Sequence, residues 1–192
     1  MLGSVSIVNK TKIKKLLSPF YKIKYRIKVD GWVYIGKQTR ILNSKNVHLS
    51  NKDQIAAYCL IIPHGKASIV MGENVTIGMF SRVACINRVS IGKNTLTGPN
   101  VFISDYNHEY RDVSKPICNQ GNTDSVSGVE IGDDSWIGTN AVICGDVKIG
   151  KHVVIGAGAF VNRDIPDYSV AVGNPARVIK KYNFETNQWE KV

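Results

Sequence analysis

No acidic residue precedes Asp30, and no apolar stretch exceeds eight residues, against the ~20 that a bilayer-spanning helix needs. No segment is therefore expected to cross a membrane. The opening MLGSVSIVNKTKIKK lacks an uninterrupted apolar core and a small-residue cleavage site, so a secretory signal is not expected and the chain is placed in the cytoplasm. Cysteine is scarce: Cys59, Cys85, Cys118 and Cys144 lie too far apart for a CxxC pair, and a cytoplasmic chain of 192 residues needs no disulfides. Cys85 and Cys144 sit among Val, Ala and Ile, where a thiol acts as a small apolar filler rather than a nucleophile. Aromatics are few, at 8%, yet a 43% hydrophobic content excludes a disordered or collagen-like chain and supports one core.

Charge is unevenly placed. The net charge is +10, and eight basic residues (Lys10, Lys12, Lys14, Lys15, Lys22, Lys24, Arg26, Lys28) fall within the first 29 positions. The remaining 17 basic residues nearly balance 15 acidic ones, so the body of the chain is close to neutral and a nucleic-acid partner is not expected. Residues 1–30 read as a basic cap. Ile13, Leu16, Leu17 and Phe20 suggest a short helix ended by Pro19, and Tyr21, Ile23, Tyr25, Ile27 and Val29 alternate with basic residues as a half-buried strand would. Such a basic face is commonly just solvated. Its functional reading is contact with an anionic partner, either a lipid-linked glycan or the inner face of the membrane.

From Ile131 the chain runs IGDDSW, IGTNAV, ICGDVK, IGKHVV, IGAGAF, VNRDIP in unbroken phase. Each hexad opens with Ile or Val, and its fifth position is small or β-branched (Ser135, Ala141, Val147, Val153, Ala159, Ile165). Positions one and five share parity, so both face inward in an extended strand. The phase returns upstream at Ile77, Val83, Ile91 and Thr97, and V-x-I-G recurs at Val33, Val75, Val89, Val129 and Val147. Strands that turn every six residues must stack on the next coil to satisfy their backbone, which predicts a parallel β-solenoid over residues 31–181. Between Ile103 and Ile131 the spacing is 28 residues, so 105–128 is an inserted loop, long enough to expect function in it. Residues 182–192 are left as a tail.

The hexads and the ending DIPDYSVAVGNPARVIK resemble the hexapeptide-repeat acyltransferases, a family of left-handed parallel β-helix enzymes that includes maltose, galactoside, xenobiotic and polysaccharide O-acetyltransferases. The resemblance implies an all-β, left-handed β-helix and a homotrimer with clefts between its subunits. It also implies acetyl-CoA as co-substrate, with no metal. In the family one His at the root of such a loop removes the acceptor's proton, and a neutral imidazole suits that task near pH 7. Of His48, His64, His108 and His152, only His108 matches that place. Asp105 is expected to orient its ring, with Glu109 or a backbone carbonyl as the alternative. The donor site carried over from the family comprises Trp136 beside the pantetheine, backbone groups of Thr139 and Ala157, Asn162 and Arg163 near the pyrophosphate, and Arg177 near the 3′-phosphate or adenine.

The function expected on this resemblance is acetyl transfer to a sugar hydroxyl in cell-surface polysaccharide assembly. N-acetylation of an amino-sugar nucleotide and a non-catalytic solenoid scaffold are its alternatives. A zinc site of the β-helix carbonic anhydrase type is disfavoured, because His152 lies 44 residues from His108, not a multiple of the coil length.

Overall fold

The computed structural model describes residues 16–192. A strand of two to four residues cannot satisfy its own backbone, and the strands of the solenoid pair in parallel with the same side of adjacent coils. Three faces result. The first is built from Lys28–Val29, Val47–Leu49, Ser68–Met71, Arg88–Ile91, Val129–Ile131 and Val147–Ile149. The second comprises Tyr34–Ile35, Gln54–Ile55, Thr76–Ile77, Leu96–Thr97, Trp136–Ile137, Val154–Ile155 and Ser169–Val172. The third comprises Arg40–Ile41, Leu60–Pro63, Arg82–Cys85, Phe102–Ser104, Val142–Cys144 and Phe160–Val161. Together they form a left-handed parallel β-helix of about seven turns.

Stacked registers put like residues over like. Ile35, Ile55, Ile77, Thr97, Ile137 and Ile155 form one fully inward column, and Ile41, Ile61, Val83, Ile103, Ile143 and Val161 another. Removing one such isoleucine to Ala would cost ~2–5 kcal/mol, since neighbouring coils cannot collapse into the gap. The glycine after the isoleucine answers to the same stacking. A Cβ on Gly138 would lie 2.6 Å from the Ala157 nitrogen, and one on Gly78 2.1 Å from the Gly98 carbonyl oxygen. Asparagines fill left-handed corner positions, which they tolerate well, and they ladder between coils: Asn74 donates to Asn94 at 3.0 Å, and Asn94 to Asp134 at 2.9 Å. His152 holds the next such corner, with φ of 53°, which accounts for its outward place.

The hexad rule holds at two corners only. Between the first and second faces, and between the second and third, inward residues stay six apart through the stack, as from Ile35 to Ile41 or Met71 to Ile77. From the third face back to the first, the spacing is eight from Ile41 to Leu49, ten from Ile61 to Met71, eight from Val83 to Ile91 and 28 from Ile103 to Ile131. The early coils are therefore regular solenoid whose extra residues all gather at one corner, and this masks the period in the first third of the sequence.

Two terminal expectations are corrected. The chain is helical at 16–25, through Pro19, and only Lys28–Val29 remain of the expected Tyr21–Val29 strand. Pro19 lies in the first turn of the described helix, where its missing N–H breaks no bond among the described residues. Tyr21 and Tyr25 are also one helical turn apart, and with Ser18 they make the face that docks on the first coil. Tyr21 meets Tyr34 edge-on at 6.4 Å, and the Tyr25 hydroxyl donates to the Thr39 carbonyl. Ile13 lies outside the described residues. Residues 182–192 are not a free tail: Arg177–Asn183 and Gln188–Lys191 form an antiparallel hairpin that extends the second face. Its Trp189 stacks on His152.

Asp53 is fully buried at a corner and accepts N–H bonds from Ser50 and Val75. Burial pushes its carboxyl from 3.8 up to about 7, against those two amides, which favour the ionised form. A folded-state value above the unfolded one means that its stabilising contribution is complete below about pH 4 and is lost as pH rises toward 7. The melting temperature of wild type relative to Asp53→Asn should therefore fall across that interval. A difference that stays flat or rises would show the carboxylate ionised throughout.

Candidate active site

All the expected catalytic residues sit at the corner where coil length is free. Phe102–Ser104 ends the third face, and the chain then leaves the solenoid until Val129. Asp105, 1% exposed, is the first residue of this departure. Its carboxylate accepts three backbone N–H bonds, from Ile86, Asn87 and Arg88, each at 2.9 Å, and so ties down the same corner one coil earlier. The following coils repeat the device. Asp146 accepts from Val126, Gly128 and the Ser125 hydroxyl, and Asp164 accepts from Lys148. Partial burial raises the Asp146 carboxyl, but those hydrogen bonds outweigh it and hold the group below its usual range. Asp105 is thus a corner cap, and its carboxylate makes no hydrogen bond to the His108 ring. The expectation that it orients that ring gives way to the stronger demand of three otherwise unpartnered amides.

His108 is held through its backbone instead. Thr123 N–H donates to the Asn107 carbonyl at 2.8 Å, Asn107 N–H to the Thr123 hydroxyl at 3.0 Å and Glu109 N–H to the Gly121 carbonyl at 3.0 Å. His108 and Asn122 are opposed on this short antiparallel rung, and the imidazole is presented to solvent. Glu109 does not orient it either: its carboxylate binds the Arg111 guanidinium and the amides of Tyr110 and Arg111, which together lower it to about 2.

Two neighbours carry no signal in the chain's spacing. The Tyr106 hydroxyl lies 3.2 Å from His64 Nε2, and Cys144 Sγ donates to Asn107 Oδ1 at 3.3 Å. His64 is 42 positions from Tyr106 across two coils of unequal length, so no fixed spacing could have paired them. Burial, followed by the nearby Asp105 charge, pushes the Cys85 thiol up to about 12, which suits a filler and not a nucleophile.

The six donor residues separate into four places. Trp136 is half exposed on the second face beside Leu96. Thr139 and Ala157 are one rung apart at the corner between second and third faces, where Gly158 N–H donates to the Thr139 carbonyl. Asn162 and Arg163 are exposed at the opposite edge of the third face, on the corner that also bears the His108 loop. Arg177 opens the terminal hairpin, and its guanidinium donates to the Ala176 carbonyl. Across the third face between these corners run Phe102, Val142 and Phe160, partly exposed and aligned by register. Among the described residues no three His, Cys, Asp or Glu side chains group as a metal site would need.

The model for bacterial transferase hexapeptide (six repeats) matches residues 128–163. "Putative lipopolysaccharide biosynthesis O-acetyl transferase WbbJ" of Escherichia coli K12 is 38% identical over 132 residues, covering 66% of this chain and 67% of that protein. The chain spans 58% and 56% of the length of two other curated relatives it matches. Among solved structures, a maltose O-acetyltransferase from Clostridium difficile 630 is 26% identical with a TM-score of 0.56, covering 93% of this chain and 89% of the other. The N-acyltransferase AntD from Bacillus cereus, in complex with dTDP and 3-hydroxybutyryl-CoA, shares the fold at a TM-score of 0.71 and 19% identity, covering 88% and 90%. With a stacked hexad solenoid on one side and these relatives on the other, the chain belongs to the hexapeptide-repeat acyltransferases.

If Asp105 is a corner cap, Asp105→Ala should lower stability by ~2–4 kcal/mol, because it strands three inward amides. Asp105→Asn should recover part of this. The check is chemical denaturation, and a variant as stable as wild type would refute the capping role.

Proposed function

We propose that this chain transfers an acetyl group from acetyl-CoA to a sugar hydroxyl in the assembly of a cell-surface polysaccharide, with His108 as general base. What carries the reading is the placement of one exposed imidazole on a rigid rung at the root of the inserted loop, in a chain 38% identical to a relative named as an O-acetyl transferase. The neutral ring takes the acceptor's hydroxyl proton as its oxygen attacks the thioester carbonyl. Collapse of the tetrahedral adduct breaks the C–S bond, and the departing thiolate of CoA is protonated, so ester and free thiol are the products. No acyl-enzyme is required.

Acetyl-CoA is assigned to the groove edged by Trp136, Thr139 and Ala157, with Asn162, Arg163 and Arg177 toward its phosphates. Within one chain these groups flank a partly exposed apolar face rather than close on one ligand. A neighbouring copy packed on the third face would set its own corner opposite His108, and this supports a homotrimer with the site between subunits. The choice of hydroxyl over amine follows the O-acetyl transferase relative. A thiol-release assay with paired hydroxy and amino sugars separates the two, and turnover of the amino sugar alone would replace O-transfer with N-transfer.

His108→Ala should cost ~10²- to 10⁴-fold in kcat/KM with melting behaviour and acetyl-CoA binding retained. A soluble His108→Ala protein with full activity would end the mechanism. Arg177→Ala should raise KM for acetyl-CoA and leave kcat nearly unchanged, as loss of a contact remote from the thioester does. A fall in kcat alone would displace Arg177 from the donor site.

A further inference from the structure

The helix at 16–25 has two apolar sides. One is docked: Ser18 and Tyr21 are 3% and 7% exposed, and the Ser18 hydroxyl accepts the Val33 N–H on the first coil. The other is bare. Leu16, Phe20 and Ile23 are 78%, 55% and 79% exposed. Their i, i+4, i+7 spacing makes a single stripe which, at about 100° per residue, points nearly opposite to the docked side. Folding of the solenoid does not use this stripe, and a solvent-facing Leu–Phe–Ile row is a cost unless something covers it.

Its surroundings specify what. Lys22 and Lys24 lie on the helix to either side of the stripe, and Lys24 Nζ lies over the Phe20 ring at 5.8 Å, so the cation and the apolar stripe form one surface. Arg26, Lys28, Lys37 and Arg40 extend the positive charge around this end of the prism. A shallow cavity of about 500 Å³ opens beside the stripe, lined by Lys24, Lys37 and Arg40 with Thr39 and Gln38 and with no carboxylate. Of the two acids in the first two coils, Asp53 is buried and Asp30 is paired with His48. An apolar stripe ringed by cations and clear of free carboxylates matches an anionic bilayer, where acyl chains take the side chains and lipid headgroups take the lysines. It is a poor match for a neutral protein groove.

We propose that the 16–25 helix is an interfacial anchor that docks this end of the β-helix on an anionic membrane surface. Leu16, Phe20 and Ile23 insert, and Lys22, Lys24 and the first-coil cations lie at headgroup level. The proposal does not depend on the acetyl-transfer reading, since it uses none of the residues assigned to catalysis or to the donor.

The test is flotation of the full-length protein with vesicles of equal phosphatidylglycerol and phosphatidylcholine, against vesicles of phosphatidylcholine alone. Wild type should float with the anionic vesicles only, and about 0.5 M salt should weaken binding, because surface charge is then screened. Leu16→Ser/Phe20→Ser/Ile23→Ser should bind at least ~10-fold more weakly while keeping its melting temperature and its activity on a soluble acceptor. For a readout that does not rely on that triple variant folding, Phe20→Trp should shift its emission to the blue when anionic vesicles are added. Equal binding to both vesicle types, or unchanged binding by the triple variant, would overturn the proposal. So would an already blue Phe20→Trp emission that vesicles do not move, which would mean that another part of the chain covers the stripe. A change of oligomeric state in the triple variant would assign the stripe to a second copy instead.

Discussion

Every short strand of the solenoid depends on adjacent coils for its backbone hydrogen bonds. A run of two to four residues has no other partner for its N–H and C=O groups, and a buried unpaired amide costs more than most side-chain contacts return. That requirement fixes the register, and the register stacks Ile on Ile and Asn on Asn. It also brings backbone so close to backbone that Gly78 and Gly138 have no room for a Cβ. The cost of disrupting one rung is shared with its neighbours, as in other solenoids whose stability is a sum over adjacent repeats.

The same constraint tells where the protein can vary. Two corners keep six-residue spacing through the stack, and all surplus length gathers at the third, from two extra residues near Asn43 to the whole 105–128 loop. A corner that varies in length leaves amides without coil partners, and aspartates at 105, 146 and 164 supply the missing acceptors. Catalysis, on the reading proposed, uses what this freedom allows: a long loop can leave the prism, fold back at its base through the 107–109 and 121–123 rung, and hold an imidazole in solvent at a set position. Rigidity comes from the capped corner, and reach comes from the loop.

Residue spacing made much of this legible. Between Val129 and Val161 the coils hold 18 residues, so the hexads run in phase and announce the solenoid, and the break after Ile103 marks the loop with His108 at its root. In the first third, coils of 20 and 22 residues carry the same inward columns, but the varying corner resets the count on each turn, so His48 and His64 had no visible place. Asp105 was misread because chain proximity to His108 was the only relation a sequence displays, whereas its three amide partners are 17 to 19 positions away. At the N-terminus Tyr21, Ile23 and Tyr25 alternate as a strand would, yet the packing of Tyr21 on Tyr34 selects the helical face instead.

The sequence by itself determined the repeat, the inward columns and the point at which the chain departs from the coil, because these follow from local periodicity and from steric demands felt within a few residues. Only the tertiary structure decided which carboxylates are spent on corner amides, that Tyr106 reaches His64, and that the terminal strands fold back as a hairpin over His152. It also decided that the N-terminal helix leaves an apolar side uncovered. Each of these depends on distances between coils. A sequence holds no record of such distances until the number of residues in every turn is known.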